Sequence, residues 1–191
     1  MNRAADIAIA GLGLAVTGPF LGVAALAIKL GDGGPVLFRQ TRVGQDGVDF
    51  ELFKLRTMVV DAEHQGAGYA VDRGDPRITR VGRFLRRTSI DELPQLWNVL
   101  RGDMSIIGPR PTLRYQVERY DERQWRRLAV LPGLTGWAQV RGRASLSWAE
   151  KIELDVWYVE HRSARVDLSI LLRTPAALFG GTYKGSTGGW R

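Results

Sequence analysis

Apolar residues dominate the amino-terminal part of the chain, and the pattern changes sharply after it. From Ile7 to Ile28 no residue is charged. A bilayer core about 30 Å thick needs about 20 helical residues, so this segment is long enough to enter a membrane. The pattern predicts a membrane helix over residues 1–30, followed by one domain over residues 31–191.

Gly18 and Pro19 interrupt the apolar segment near its middle. Proline removes a backbone donor and crowds the preceding turn, so a kink or break is expected there, with the Thr17 hydroxyl close to a freed carbonyl. Basic residues flank both ends, and the positive-inside rule places both flanks in the cytoplasm. A re-entrant helix satisfies both demands; a kinked spanning helix or a cleaved signal peptide with residues 25–27 at its end are the alternatives.

Two short apolar runs, residues 36–38 and 50–58, flank a Gly/Asp turn at residues 44–47. This arrangement is typical of a β-hairpin. Lys54 and Arg56 would then share one strand face, because side chains two residues apart point the same way.

A polar stretch with several glycines over residues 61–78 predicts a long surface loop, either a substrate lid or a plain connector. Val81, Phe84 and Leu85 then recur at helical spacing among arginines. They predict a short basic amphipathic helix that ends near Thr88.

The densest motif follows at residues 89–100, SIDELPQLWNVL. Because proline is tolerated in a first helical turn, Pro94 predicts that a helix begins near residues 91–93. The Gly-Pro-Arg-Pro sequence at residues 108–111 predicts an extended loop that presents Arg110.

The remaining pattern predicts three helices and a turn. The helices are a charged one over residues 113–130, one over 147–161 that opens with a capping box, and a last apolar one capped by Asp167. Residues 132–136 read as a turn, and Pro175 as an interruption after the last helix. We expect a helix-rich α/β domain with a small hairpin.

Charge narrows the class of partner. The 191 residues hold 27 Lys and Arg against 20 Asp and Glu, a net charge of +7 that favours anionic partners. With no cysteine and two histidines, a thiolate or imidazole metal site is excluded, so a metal would be held by oxygen. Mg²⁺, or else Mn²⁺, is the expected ion.

Asp91 and Glu92 are the candidate catalytic pair. At a helix amino terminus the free N–H groups stabilise an ionised carboxylate and a docked phosphate, and an ionised aspartate can attack phosphorus or bind Mg²⁺. Glu92 would position a group or transfer a proton. Plain capping of the helix explains both residues as well.

Candidate phosphate-binding cations surround this motif. Arg110, rigid between two prolines, and Arg86 are the main ones, and Lys54, Arg56 and Arg143 carry weaker signals of the same kind. Solvated or salt-bridged surface residues are the alternative interpretation.

The order of the motifs resembles the monotopic phosphoglycosyl transferases of the bacterial sugar transferase family over nearly the whole chain. The resemblance rests on the apolar start with its proline, KLRTM, SIDELPQ, NVLRGDMS, GPRP and PGLTG. Relatives usually carry Ser-Pro where this chain has Gly18-Pro19. Asp155 and Asp167 also fall at positions that look like acidic residues of the family.

The resemblance implies a re-entrant helix in the bacterial inner membrane, in contact with membrane lipid, and a catalytic domain on the cytoplasmic face. Asp91, as nucleophile and Mg²⁺ ligand with Glu92 as its acidic partner, would take sugar phosphate from a UDP-sugar. It would then pass it to polyprenyl (undecaprenyl) phosphate in an early step of glycan assembly. Arg86 and Arg110, and more weakly Lys54 and Arg143, would bind substrate phosphate.

Two other functions compete with this interpretation. A basic membrane-surface adaptor needs no catalytic aspartate. Nucleic-acid binding is favoured by the pI alone, since the basic residues are scattered and no nucleic-acid-binding motif occurs, so we expect no nucleic acid as partner. The sugar stays undetermined at this point, and so does homodimer formation.

Overall fold

The computed structural model describes residues 1–65, 71, 74–142 and 146–179. Its helices are α1 (Arg3–Asp32), α2 (Arg80–Thr88), α3 (Gln95–Arg101), α4 (Arg114–Val117), α5 (Glu122–Trp125), α6 (Trp137–Arg141), α7 (Trp148–Glu160) and α8 (Ala164–Phe179). Its strands are β1 (Leu37–Val43), β2 (Asp49–Leu55), β3 (Ser105–Ile107) and β4 (Gly133–Thr135). The expected helix-rich α/β architecture is confirmed.

Helix α1 begins at the cap residue Asn2, whose side chain accepts from Ala5 N, and continues through Pro19. The helix is not broken at Pro19, and a kink there stays a prediction. A proline removes one hydrogen bond of the ladder, and the turns on both sides keep their own bonds. The Thr17 hydroxyl donates to the Gly13 carbonyl at 2.6 Å and not to the Ala15 carbonyl that Pro19 leaves free.

Most of α1 has no protein around it. By length and composition it could cross a membrane, with a mean hydropathy of 1.9 over its most apolar stretch, of which only 11% is buried. Its exposed large apolar side chains are Ile7, Ile9, Leu12, Val16, Phe20, Val23, Leu26 and Leu30. Such a surface is stable in lipid and costly in water.

The amino-terminal end of α1 is joined to the folded domain by polar contacts. The buried Asp6 carboxylate accepts from Ser105 Oγ at 2.9 Å and from Ile106 N at 2.8 Å. The Arg3 guanidinium donates to the carbonyls of Val99 and Leu100. These bonds hold the start of the helix against α3 and β3.

The carboxyl-terminal end of α1 is joined to the same domain at another place. Ile28 is buried in a cluster with Leu55 of β2 and Leu85 of α2. Arg56 donates to both carboxylate oxygens of Asp32, with Nη1 at 2.6 Å from Oδ2. Both ends of α1 therefore contact one folded body.

The predicted hairpin is confirmed as β1 and β2, which pair antiparallel from Leu37 with Leu55 to Val43 with Asp49. The turn between them contains Asp46 and Gly47 with positive φ, as a Gly/Asp turn requires. The basic helix before Thr88 is also confirmed as α2.

Two predictions between residues 113 and 136 are wrong. The single charged helix is instead α4, α5 and a 3₁₀ turn over 126–128, because the Asp121 carboxylate accepts from Gln124 N and starts a new helix. The predicted turn at 132–136 contains β4, which pairs parallel with β3. That approach needs glycine, since a Cβ at Gly133 would lie 2.0 Å from Gly108 N.

The capping box at Ser147 is confirmed and starts α7. Helix α8 begins before Asp167, so the prediction that Asp167 caps it is wrong; its carboxylate instead accepts from the Tyr158 hydroxyl at 2.8 Å. Pro175 lies inside α8 and does not interrupt it. The central core lies where α3, β3, α7 and α8 meet, around Val99 and Ile170.

Candidate active site

The chain reverses direction at Ser89, which ends α2 in the left-handed conformation at φ 57°. A 3₁₀ turn over Ile90–Glu92 follows, and α3 starts only after Pro94. The helix start predicted near residues 91–93 falls within this stretch, which is 3₁₀ through Glu92 and right-handed helical at Leu93 and Pro94 before α3 begins. Because a left-handed non-glycine residue is uncommon and costs energy, the strained Ser89 is consistent with a site that must aim its neighbours.

Glu92 is held by two cations. Its Oε1 accepts from Lys54 Nζ at 3.0 Å and from Arg110 Nη2 at 2.5 Å. Burial disfavours the charged carboxylate, but the charges and hydrogen bonds of Arg110 and Lys54 outweigh it and hold the pKa of Glu92 well below its usual value. Glu92 therefore stays ionised and organises its two partners.

Asp91 is different, although it is the next residue along the chain. It is only 7% exposed and borders the cleft. Within residues 1–65, 71, 74–142 and 146–179 its carboxylate finds neither a hydrogen bond nor an ion pair. Burial raises the pKa of Asp91, as does the charge of Glu92, while Lys54, Arg86 and Arg110 lower it. An unpaired carboxylate near three cations is suited to attack an anionic substrate that those cations bind.

Arg86 reaches the cleft from α2, which lies very close to the end of the hairpin. A Cβ at Gly82 would be 1.9 Å from the Thr57 carbonyl oxygen, so glycine permits this approach. Arg86 Nε then donates to Thr57 Oγ1 at 2.8 Å. The contact fixes the guanidinium near enough to Asp91 for its charge to lower the pKa of that carboxyl.

Lys54 is positioned by Asn98, a fully buried residue of α3. Asn98 Nδ2 donates to the Glu51 carbonyl at 2.7 Å, and its Oδ1 accepts from Phe53 N at 3.1 Å. These bonds fix β2 against α3. Burial lowers the pKa of Lys54, and the charge of Glu92 opposes that shift.

Six of the candidate site residues line one cleft. They are Lys54, Arg56, Arg86, Asp91, Glu92 and Arg110. Arg143 lies outside the described residues. Arg56, a weaker candidate, pairs with Asp32 of α1.

Sequence reasoning noted Asp155 but missed that it forms a buried ion pair with Arg127 in the lining of the cleft. Arg127 Nη2 donates to Asp155 Oδ2 at 2.5 Å and to the Arg110 carbonyl at 3.0 Å. Both side chains are 3% exposed. The signal for Arg127 was weak, because this arginine stands in a charged stretch typical of a solvated helix.

Asp91 is the candidate ligand for a divalent ion among the described residues. The part of the chain that the structure describes contains no cluster of three or more Asp, Glu, His or Cys residues that could hold a metal. Mg²⁺ is often bound by one or two carboxylates together with substrate phosphates and water. The unpaired Asp91 carboxylate fits an ion shared with a diphosphate.

The chain is similar in sequence to known proteins. The model of the family described as "Bacterial sugar transferase" matches residues 1–181. A UDP-glucose:undecaprenyl-phosphate glucose-1-phosphate transferase of Caulobacter vibrioides is 48% identical over 93% of this chain and 69% of its own length. The uncharacterized sugar transferase EpsL of Bacillus subtilis is 48% identical over 77% of this chain and 71% of its own.

A UDP-glucose:undecaprenyl-phosphate glucose-1-phosphate transferase of Escherichia coli is 44% identical over 91% of this chain, which spans 39% of that relative's length. The match thus covers most of two relatives and the smaller part of the third. With the family model matching almost from end to end, the chain belongs to the bacterial sugar transferase family.

Proposed function

We propose that the protein transfers a sugar 1-phosphate from a UDP-sugar to polyprenyl phosphate, with Asp91 as the nucleophile. The observation that carries the proposal is the unpaired, buried Asp91 carboxylate at a cleft that Lys54, Arg86 and Arg110 also line. The two relatives named as glucose-1-phosphate transferases support the substrate class.

In the first step an Asp91 carboxylate oxygen attacks the sugar-bearing phosphorus of the donor. The phosphorus–oxygen bond to the other phosphate breaks, UMP leaves with the bonding electrons, and a phosphosugar-aspartate remains. In the second step a phosphate oxygen of the polyprenyl phosphate attacks the same phosphorus. The aspartate carboxylate leaves, which gives polyprenyl-diphospho-sugar and restores Asp91.

The cations supply what this reaction needs most, because phosphoryl transfer depends on positioning and on charge stabilisation. Arg110 is 46% exposed, so its guanidinium reaches the open part of the cleft while it also holds Glu92. Arg86 and Lys54 act on Asp91 from the other elements. Bound Mg²⁺, held by Asp91 and the diphosphate, would neutralise charge on the donor.

We also propose that α1 is re-entrant and lies in the inner membrane, with the catalytic domain on the cytoplasmic face. Both ends of α1 contact one folded body, through Asp6 and through Ile28. A spanning helix about 45 Å long would place its ends on opposite sides of the bilayer. Single-cysteine variants Ala4→Cys and Gly31→Cys, in a chain without cysteine, test this.

Labelling of both cysteines from the cytoplasmic side of vesicles is the expected result. Labelling of one from each side would show a spanning helix.

The function is tested with purified protein, Mg²⁺ and a panel of UDP-sugars, with and without undecaprenyl phosphate. We expect acceptor-stimulated UMP release with at least one donor, lost in Asp91→Asn and kept in the exposed control Asp46→Asn. Folded protein that releases no UMP with any donor would favour the membrane adaptor instead.

A further inference from the structure

Helix α7 forms a wall of the cleft that the proposed chemistry does not yet use. Trp148, Lys151, Ile152 and Asp155 line the cavity together with Asp91 and Arg110. Their spacing of three and four residues places them on one face of the helix. This α7 wall, defined by these four residues, therefore borders the space beside the reacting centre.

The α7 wall has buried polar atoms without partners. Asp155 Oδ2 is bonded to Arg127, but Asp155 Oδ1 and Trp148 Nε1 are buried and find no hydrogen-bond partner in the described part of the chain. Asp155 itself is 2% exposed. A buried group left without a partner costs about 1–3 kcal/mol, so such atoms usually bond to a ligand or to water.

Lys151 adds an available cation on the same face. Its side chain is partly buried, and its ammonium group makes no hydrogen bond or ion pair to any residue that the structure describes. Burial lowers the pKa of Lys151, and the charge of nearby Arg110 lowers it further. Two cations that raise each other's energy are stabilised when an anion lies between them.

We propose that the α7 wall binds the part of the donor in which a phosphate is attached to a hydroxyl-bearing ring. Lys151 binds the phosphate together with Arg110, while Trp148 Nε1 donates to ring hydroxyls and Asp155 Oδ1 accepts from them. A hydroxyl group can both donate and accept, so it matches this pair of orphaned atoms. The assignment rests on the proposed function and adds three substrate-binding residues to it.

Both halves of a nucleotide sugar contain such a ring, the hexose and the ribose. The two sources are separated by comparing UMP, which lacks the hexose, with the complete UDP-sugar. Two variants probe the subsite: Lys151→Met removes the cation, and Trp148→Phe removes the indole N–H and keeps an aromatic ring. Arg119→Met and Trp125→Phe, both at exposed positions, are the matched controls.

The test measures equilibrium binding of UMP and of the preferred UDP-sugar to the full-length protein in detergent, beside UMP release. We expect each variant to bind the UDP-sugar about 10-fold more weakly, with both controls unchanged. If the hexose occupies the wall, Trp148→Phe leaves UMP affinity unchanged. If the ribose does, UMP affinity falls by the same factor.

Wild-type affinity for both ligands in both variants, with UMP release intact, would overturn the subsite and leave the proposed function standing. Wild-type protein that neither binds a UDP-sugar nor releases UMP would overturn both. Trp148 also packs in a core cluster, so if Trp148→Phe does not fold, Lys151→Met decides the question.

Discussion

Two carboxylate–guanidinium pairs of the described residues line the cleft, and they differ in solvent exposure. At the turn over residues 90–92, Glu92 is 21% exposed and its partner Arg110 is 46% exposed. In the second pair, Arg127 and Asp155 are both 3% exposed. The first pair can exchange partners with a substrate, and the second cannot do so without breaking the interior.

This difference separates a pair that can open for a substrate from one whose bond, between Arg127 and Asp155 Oδ2, holds the structure and leaves only Asp155 Oδ1 for a ligand. A buried ion pair is costly to break, because the remaining charge has no compensation. A partly exposed pair contributes little to stability and leaves its cation available to phosphate. Arg127 also donates to the Arg110 carbonyl, so the buried pair fixes the backbone that carries the Arg110 side chain.

The largest effect is expected from Asp91→Asn. Loss of the nucleophile lowers UMP release by at least about 10³-fold. The melting temperature stays the same or rises, because an unpaired buried carboxylate is replaced by a neutral side chain. Steady-state assays and thermal melts on the same sample measure both, and an active Asp91→Asn would refute the assignment.

The next effect is on stability. Asp155→Asn leaves Arg127 without its counter-charge and lowers the free energy of unfolding by about 3 kcal/mol. Glu153→Gln, which breaks the exposed pair between Glu153 of the same helix and Arg123 of α5, leaves the free energy of unfolding almost unchanged. If denaturant titrations give equal losses of unfolding free energy for the two variants, burial does not decide how much each pair contributes to stability.

A smaller loss of activity is expected from Arg110→Met. It removes a substrate cation and lowers kcat/KM by about 10²-fold, while Lys54 keeps Glu92 paired and the melting temperature changes little. A large fall in stability with normal kcat/KM would assign Arg110 to the structure instead.

The smallest effect is a displacement of the pH profile. Asp91 attacks only when ionised, so kcat/KM rises as pH increases through its raised pKa. The charge of Glu92 contributes to that raised pKa. In Glu92→Gln this contribution is gone, so the acidic limb of the residual activity moves to lower pH. An acidic limb that stays at the same pH or moves to higher pH would contradict this effect of Glu92 on Asp91.

Short sequence patterns predicted those elements that depend only on neighbouring residues. The hairpin followed from two apolar runs around a Gly/Asp turn, and α7 from the capping box at Ser147. The candidate pair Asp91 and Glu92 came from one motif, and the candidate cations came from the basic residues around it. That Glu92 would hold Lys54 and Arg110 was not predictable, because these residues meet only through the fold.

The failures have two physical causes. The pairing of β3 with β4 depends on contact between Gly108 and Gly133, which are distant in sequence, and three-residue strands carry no periodicity. At Pro19 the cause is local, because the turns on both sides keep their own hydrogen bonds and α1 continues through the proline.

The most direct test of the central claim is the intact mass of the protein after incubation with Mg²⁺ and its preferred UDP-sugar, without acceptor. A mass increase equal to one sugar phosphate is expected, lost on addition of undecaprenyl phosphate, absent in Asp91→Asn and present in Asp46→Asn. UMP release only in the presence of acceptor, with no adduct at any time, would contradict a covalent aspartate intermediate and indicate direct transfer.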